Sequence, residues 1–339
     1  MKKYAIQTLL VILAVIAGVF IFKARNNGEY IKTAGFTQGT SYHITYESKR
    51  GENLKDEIDT LLAEFDKSFS TYLPSSIISR INSNDTDVYV NEHFIKLFNK
   101  AYEVYKATDG AFDITVAPLV NAWGFGFTER ADVDSALIDS LLQYIGMEKV
   151  KLEQNRILKR HKEIMLDANA IAQGYAVDVM AEFLDKKGIK NYLVEIGGEI
   201  KTRGVNDKCE IWKIGLDKPV ENNLIPGTYL QAVLQLKGRS LATSGNYRKF
   251  YEKDGVKYAH SIDPKTGYPV LKNLLSVTVV TDDCMTADAY ATGFMVMGVD
   301  KTIDFLSDHK ELDAYLIYND EKGNYKVFIT DGLKENIVE

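Results

Sequence analysis

Cysteine is scarce in this chain of 339 residues: there are two, Cys209 and Cys284, and neither stands in a Cys-x-x-Cys pair or a Cys/His cluster. A zinc framework and a disulfide-stapled fold are therefore not expected, since both need several ligands or thiols at short spacing. The glycine-rich fingerprints of nucleotide sites are also missing. No Gly-x-Gly-x-x-Gly follows a strand and no P-loop pattern ends in Gly-Lys-Ser/Thr, which excludes the dinucleotide fold and the P-loop. Nor is there a basic excess. With 41 Lys and Arg against 47 Asp and Glu, the net charge of −6 offers no broad footprint for phosphate backbones, and no nucleic-acid partner is expected.

Long apolar runs are confined to one place, residues 4–22 (YAIQTLLVILAVIAGVFIF) after Met-Lys-Lys. That run can cross a hydrocarbon core of about 30 Å as a helix. A cleaved signal peptide competes, with Val15 and Ala17 as −3 and −1 positions, but the apolar stretch continues past them through Phe22. Lys2 and Lys3 with the amino terminus narrowly outweigh Lys23 and Arg25. The expectation is a single-pass anchor and tether over residues 1–30 in the inner (cytoplasmic) membrane. The body, residues 31–339, is expected on the periplasmic side as one domain large enough for a sizeable core.

Within the body, residues 238–270 (GRSLATSGNYRKFYEKDGVKYAHSIDPKTGYPV) read as a hairpin, with strands over 247–251 and 256–260 joined at Asp254-Gly255. Asp263-Pro264 and Gly267 form the exit turn. Two readings are open: a surface hairpin with an incidental His, or an anion pocket in which backbone N–H groups and hydroxyls lie beside the base His260. Residues 34–47 read as an opening strand, and 54–69 and 94–108 as core-facing helices. Tyr72 precedes a Pro-Ser-Ser turn that starts a short helix at Ser76, and is open to stacking on a planar ligand or capping a core. In residues 109–126, Asp113 interrupts an apolar alternation, which requires either a turn hydrogen bond or a polar ligand.

Residues 166–188 (LDANAIAQGYAVDVMAEFLDKKG) predict a helix with Asp167 and Asn169 as N-cap types and with Gly174 inside it, which suggests close approach by a backbone or ligand. Residues 191–204 read as a strand reaching Gly197-Gly198. Residues 149–166 read as a hairpin, 276–281 as a strand and 286–297 as a helix. On that last helix Asp288 and Thr292, at i and i+4, share a face, an arrangement that suits Mg²⁺ or simply a first-turn carboxylate.

In order, the motifs QGTSYHI, FSTYLPSSIISRIN, GAFDITVAPLVNAWGFG, LDANAIAQGYAVD, VEIGGEI, ATSGNYRKF with YAHSIDPKTGYP, and SVTVVTDDCMTADAYATGFMVMG resemble the ApbE family, the FAD:protein FMN transferases. The resemblance covers roughly residues 35–298 and implies an α+β, T-fold-like compact body with flavin between two halves. It implies Mg²⁺-dependent cleavage of FAD, release of AMP, and a phosphoester from FMN to a Thr or Ser of a partner protein, such as a membrane redox complex subunit. FAD hydrolysis without an acceptor is the alternative. Carried onto this chain, the family pattern implies flavin contacts at Gln38, Tyr72, Ala111, Phe112, Asp113, Asp167, Gln173 and Ile262. It implies Mg²⁺ at the carbonyl of Ala170 and at Asp288 and Thr292, and catalytic roles for His260, with Asp263 either orienting it or capping the turn. Gln38 and Gln173 depart from the Met and Lys that the family pattern usually has, and no lipobox Cys follows the apolar N-terminus.

Overall fold

A hairpin with a two-residue turn opens the described chain. β1 (Glu29–Thr37) and β2 (Thr40–Ser48) pair antiparallel from Glu29↔Ser48 to Thr37↔Thr40, so residues 34–47 are a hairpin and not one strand. Gln38 (φ 49) and Gly39 (φ 72) both take positive φ, the pairing that matches strand twist in a two-residue loop. Period-2 alternation then drives Tyr42, Ile44 and Tyr46 into the core. The computed structural model describes residues 28–127, 131–220, 227–246, 250–253, 256–259, 261–270 and 273–338, with backbone alone for 250–253 and 256–259.

The helices follow their apolar stripes. α1 (Lys55–Phe69) buries Ile58, Leu62, Phe65 and Phe69, and α3 (Glu92–Ala107) buries Phe94, Leu97, Phe98, Ala101 and Val104. Between them α2 (Ile77–Asn82) is capped by Ser76, whose Oγ accepts from the Ser79 N–H at 3.1 Å, the start expected from the sequence. Asp109 (φ 50) and Gly110 (φ 75) end α3. The apolar alternation at 111–116 does not become a strand: it is a tight turn leading into α4 (Ala117–Ala122), with Pro118 in its first turn. α5 (Ser135–Leu142) and the short hairpin β3 (Val150–Glu153) with β4 (Arg156–Lys159) follow.

α6 (Ala172–Lys186) is the expected helix, but its N-cap is Ile171 with no side-chain cap; Asp167 lies outside it, accepting the Asn169 N–H in a turn. The strand expected over 191–204 is a hairpin, β5 (Tyr192–Ile196) and β6 (Glu199–Arg203), turned by Gly197 (φ 68) and Gly198 (φ 108). β7 (Trp212–Asp217) and β8 (Leu230–Leu236), with no counterpart in the sequence reading, form a separate two-stranded sheet. Then come β9 (Ser240–Gly245), β10 (Phe250–Lys253) paired with β11 (Val256–Ala259), and β12 (Leu274–Thr281). α7 (Cys284–Met297), α8 (Val299–Asp308), β13 (Asp313–Asn319), β14 (Tyr325–Ile329) and α9 (Asp331–Lys334) complete the chain.

The main sheet has eight antiparallel strands in the order β1-β2-β5-β6-β9-β12-β13-β14. It is two four-strand runs joined at one narrow seam, where β6 and β9 share only the pairs Ile200↔Leu241 and Lys201↔Ser240. α6 packs on β5 and β6, and α7 packs on β9 and β12, so the two helices meet over the seam. On the opposite face β7 and β8 cover it, through Ile214, Leu234 and Leu236 against Leu193, Ile200, Leu241 and Ile317. The result is an α+β body whose two halves are bridged on both faces. Among the described residues no helix is long and apolar enough to cross a membrane, and the apolar run 4–22 lies outside them.

Candidate active site

The meeting of α6 and α7 is a backbone contact. A Cβ at Gly174 would stand 2.3 Å from the Cys284 carbonyl oxygen and 2.7 Å from the Asp288 Cβ, so no larger residue fits this crossing, as the isolated glycine suggested. The closeness lets the Gly174 N–H donate to Asp288 Oδ2 at 3.0 Å. Asp288 is 5 % exposed, and no cation among the described residues pairs with it. Burial pushes its carboxyl up to about 7, against the single opposing Gly174 N–H. One turn on, the hydroxyls of Thr292 and Ser244 lie 3.3 Å apart, which ties α7 to β9.

Beside the crossing, at the start of α6, Gln173 Nε2 reaches the Gln38 carbonyl at 3.5 Å and its Oε1 lies over the Gly197 turn. The Gln38 amide oxygen and nitrogen are both buried without a hydrogen-bond partner. Ala170 belongs to the turn between Asp167 and α6 and is partly buried. Asp288, Thr292 and the Ala170 carbonyl are all hard oxygen donors, and a buried carboxylate without a cation is the environment that a divalent ion completes. The residues present thus fit the cation that the motifs imply.

Asp113 has the partner that its apolar surroundings demand: its Oδ1 accepts from both the N–H and the hydroxyl of Thr115, each at 2.7 Å. Burial still raises it to about 6. Asp167, also buried and raised by burial, donates its backbone N–H to the Ile114 carbonyl at 2.7 Å, which joins the Asp113 and Asp167 segments. Asp113 opens on a cleft of about 470 Å³ lined also by Tyr105, Asp109, Glu148, Pro264 and Lys265. The expected exit turn therefore forms one wall of this cleft. Trp123 Nε1 anchors that turn by donating to the Gly267 carbonyl at 2.8 Å.

The remaining expected residues divide. Tyr72 is 76 % exposed on the loop between α1 and α2, open to stacking and not a core cap. Ala111 is buried against Val270 and Val296. Phe112, at 1 % exposure, and Ile262, at 5 %, direct their side chains into apolar clusters, so any flavin contact they make is through the backbone. Asp263 caps its turn: its Oδ1 accepts the Lys265 N–H at 2.9 Å and its carbonyl accepts the Gly267 N–H at 2.8 Å. His260, the expected base, lies outside the described residues, as do positions 254 and 255 of the expected hairpin turn.

Sequence reading missed Asp178. This buried α6 carboxylate accepts from the N–H groups of Cys284, at 3.0 Å, and Met285, at 2.9 Å, and from Lys201 Nζ at 3.1 Å. It thereby holds the N-terminus of the helix that carries Asp288 and Thr292. Its signal was available: Asp178 follows Gly174 by four residues, on the same apolar helix face.

Known proteins resemble this chain over most of its length. The sequence pattern of a family described as "ApbE family" matches residues 38–316. An FAD:protein FMN transferase of Vibrio cholerae is 36 % identical, covering 90 % of this chain and 92 % of the relative. The corresponding protein of Haemophilus influenzae is 34 % identical over 92 % of this chain and 93 % of its own length. Among solved structures, the flavin transferase ApbE of V. cholerae superposes with a TM-score of 0.83 at 35 % identity, covering 91 % of this chain and 99 % of that one.

Proposed function

The chain belongs to the ApbE family of flavin transferases, and from that premise we propose that it moves FMN from FAD to a Thr or Ser hydroxyl of a partner protein, with release of AMP. The observation that carries this reading is Asp288, a buried carboxylate held, among the described residues, by one backbone N–H and by no cation, on a helix seated against the glycine of a second helix. Asp288, Thr292 and the Ala170 carbonyl are the groups that would hold Mg²⁺, which supplies charge neutralisation on the pyrophosphate. FAD lies between the halves, with Tyr72 stacking on a ring and the turns at Asp113 and Asp167 giving polar contacts.

In the transfer step the acceptor oxygen forms a bond to the FMN-side phosphorus and the anhydride bond to the AMP phosphate breaks. The acceptor proton passes to His260, and AMP departs with the bridging oxygen. A neutral Thr hydroxyl is a weak nucleophile, and a positioned base contributes about 10²–10⁴-fold. Asp263, engaged in its turn, fixes the loop that follows His260. The apolar run 4–22 supports a membrane anchor and Lys2 and Lys3 before it support a body on the periplasmic side; the acceptor would be a subunit of a membrane redox complex.

The test is to incubate the full-length protein with FAD, Mg²⁺ and a candidate acceptor domain. Covalent in-gel flavin fluorescence on the acceptor and stoichiometric AMP are expected. Release of both FMN and AMP with no labelled protein, across acceptors, would replace transfer by hydrolysis.

A further inference from the structure

The loop that bears Tyr72 leads into a helix too short to be stable by itself. Its near end is tied: the Ser70 carbonyl accepts from the Ser76 hydroxyl at 2.6 Å and from the Ser79 hydroxyl at 3.1 Å, which closes the loop into a compact bow. Its far end is tied by one side chain. Asn82, the last residue of α2, donates from Nδ2 to the Leu166 carbonyl at 2.9 Å and accepts the Leu166 N–H on Oδ1 at 2.7 Å. A primary amide thus pairs with both backbone groups of a single residue, as a neighbouring strand would.

Leu166 directly precedes Asp167, whose N–H is bound to the Ile114 carbonyl, and the same segment bridges in parallel from Met165 to Val116. Three pieces that the sequence holds far apart therefore share one joint: the bow with Tyr72, the turn with Asp113, and the approach to α6 with Asp167, Ala170 and Gln173. Lys159 reinforces it, its Nζ donating to the carbonyls of Ile81 at 3.0 Å and Ile164 at 2.8 Å. Other donors and acceptors could hold a surface helix to a loop. A two-point amide pairing to the residue next to Asp167 does more, because it fixes both translation and rotation of the bow relative to that carboxylate.

We propose that Asn82 is a positioning residue for flavin binding, which sets the Tyr72 ring against the Asp113–Asp167 side of the site without touching the ligand. This rests on the assignment of Tyr72 as a flavin contact. In the full-length protein, FAD affinity is measured by flavin fluorescence for Asn82→Ala, Tyr72→Ala and the double variant. Asn82→Ala is expected to weaken FAD binding about tenfold when Tyr72 is present and less than about threefold when it is absent, because a misplaced ring and a missing ring cost alike. A merely structural role would lower the melting temperature and leave the two effects multiplicative.

Should Asn82→Ala fail to fold, Asn82→Asp serves in the same cycle. It keeps the acceptor for the Leu166 N–H and replaces the donor by a carboxylate oxygen that repels the Leu166 carbonyl. Unchanged FAD affinity in either Asn82 variant, or an equal loss with and without Tyr72, overturns the proposal. If Tyr72→Ala alone leaves affinity unchanged, the stacking assignment itself is wrong, and the proposal falls with it for that distinct reason.

Discussion

Two buried aspartates face each other's helices across the α6–α7 crossing, and they are treated in opposite ways. Among the described residues, Asp178 receives two backbone N–H groups and the Lys201 ammonium, and Asp288 receives one backbone N–H. Burial pushes both carboxyls up, but at Asp178 a cation and two amides oppose it, whereas at Asp288 a single amide does. The first carboxylate is complete within the protein and works as a cap. The second has no cation beside it among the described residues, and in the proposed reading Mg²⁺ would complete it. Buried charge alone would not have separated them; the inventory of donors does.

The comparison can be broken most forcefully at Asp288. Asp288→Ala is expected to cut acceptor flavinylation by about 10³-fold or more, since a divalent ion at a phosphoryl group contributes several kcal/mol, while the melting temperature without Mg²⁺ stays level or rises. Retained transfer in excess chelator would remove the metal from the mechanism. Asp178→Ala should do the reverse. Losing the Lys201 ion pair and leaving the buried Cys284 and Met285 N–H groups without their acceptor is expected to cost about 3 kcal/mol of stability in urea unfolding, with activity lost only in proportion to the unfolded fraction. A stable but inactive Asp178 variant would mean that both carboxylates serve the chemistry.

A smaller effect comes from driving the helices apart. Gly174→Ala places a methyl within 2.3 Å of the Cys284 carbonyl oxygen, and overpacking of this kind costs about 1–3 kcal/mol. With Mg²⁺ bound at Asp288 as proposed, the stabilisation by the ion should also weaken, because the Gly174 N–H leaves Asp288. A thermal scan with and without the ion reads both. The smallest effect sharpens the contrast with a third case, Asp113, buried yet bonded twice by Thr115. Its carboxyl is pushed up to about 6 in the folded chain, so the folded state holds a proton that the unfolded state has released. Stability relative to acid should therefore fall as the pH rises from about 4 through about 6 and then level. Asp113→Asn, which keeps an acceptor for Thr115, should flatten that slope, and an unchanged pH profile would place the titration elsewhere.

Much of this was legible in the chain because local chemistry and tertiary need coincide. The stripe of Ile58, Leu62 and Phe65, the Ser76 cap and the interrupting Gly174 each announce one structure, and each forms it. The failures occur where a turn is brief. Gln38-Gly39 and Gly197-Gly198 reverse the chain in two residues, so an alternating pattern runs through them and reads as one strand. β7 and β8 were silent for a different reason: they are half-polar strands that earn their place only by covering a seam made elsewhere. In the site, motif residues were readable by type, but Phe112 and Ile262 turn inward, and Asp178 and Asn82 act through backbone partners more than 80 residues away. Pairings at that range follow from the fold and not from neighbouring sequence.

The seam between β6 and β9 has a consequence for how the molecule comes apart. Two register pairs are too few to hold two four-strand sheets together, and each half has its own helix laid on its own strands. Left to the sheet, the halves would be separate cooperative units with separate unfolding free energies. The helix crossing above and the β7–β8 hairpin below weld them, so the contacts that assemble the site are also those that make unfolding a single event. In native-state hydrogen exchange, the amides of Ile200, Lys201 and Leu241 should then exchange together with those of Gly174 and Cys284, and loosening the weld should split one global transition into two.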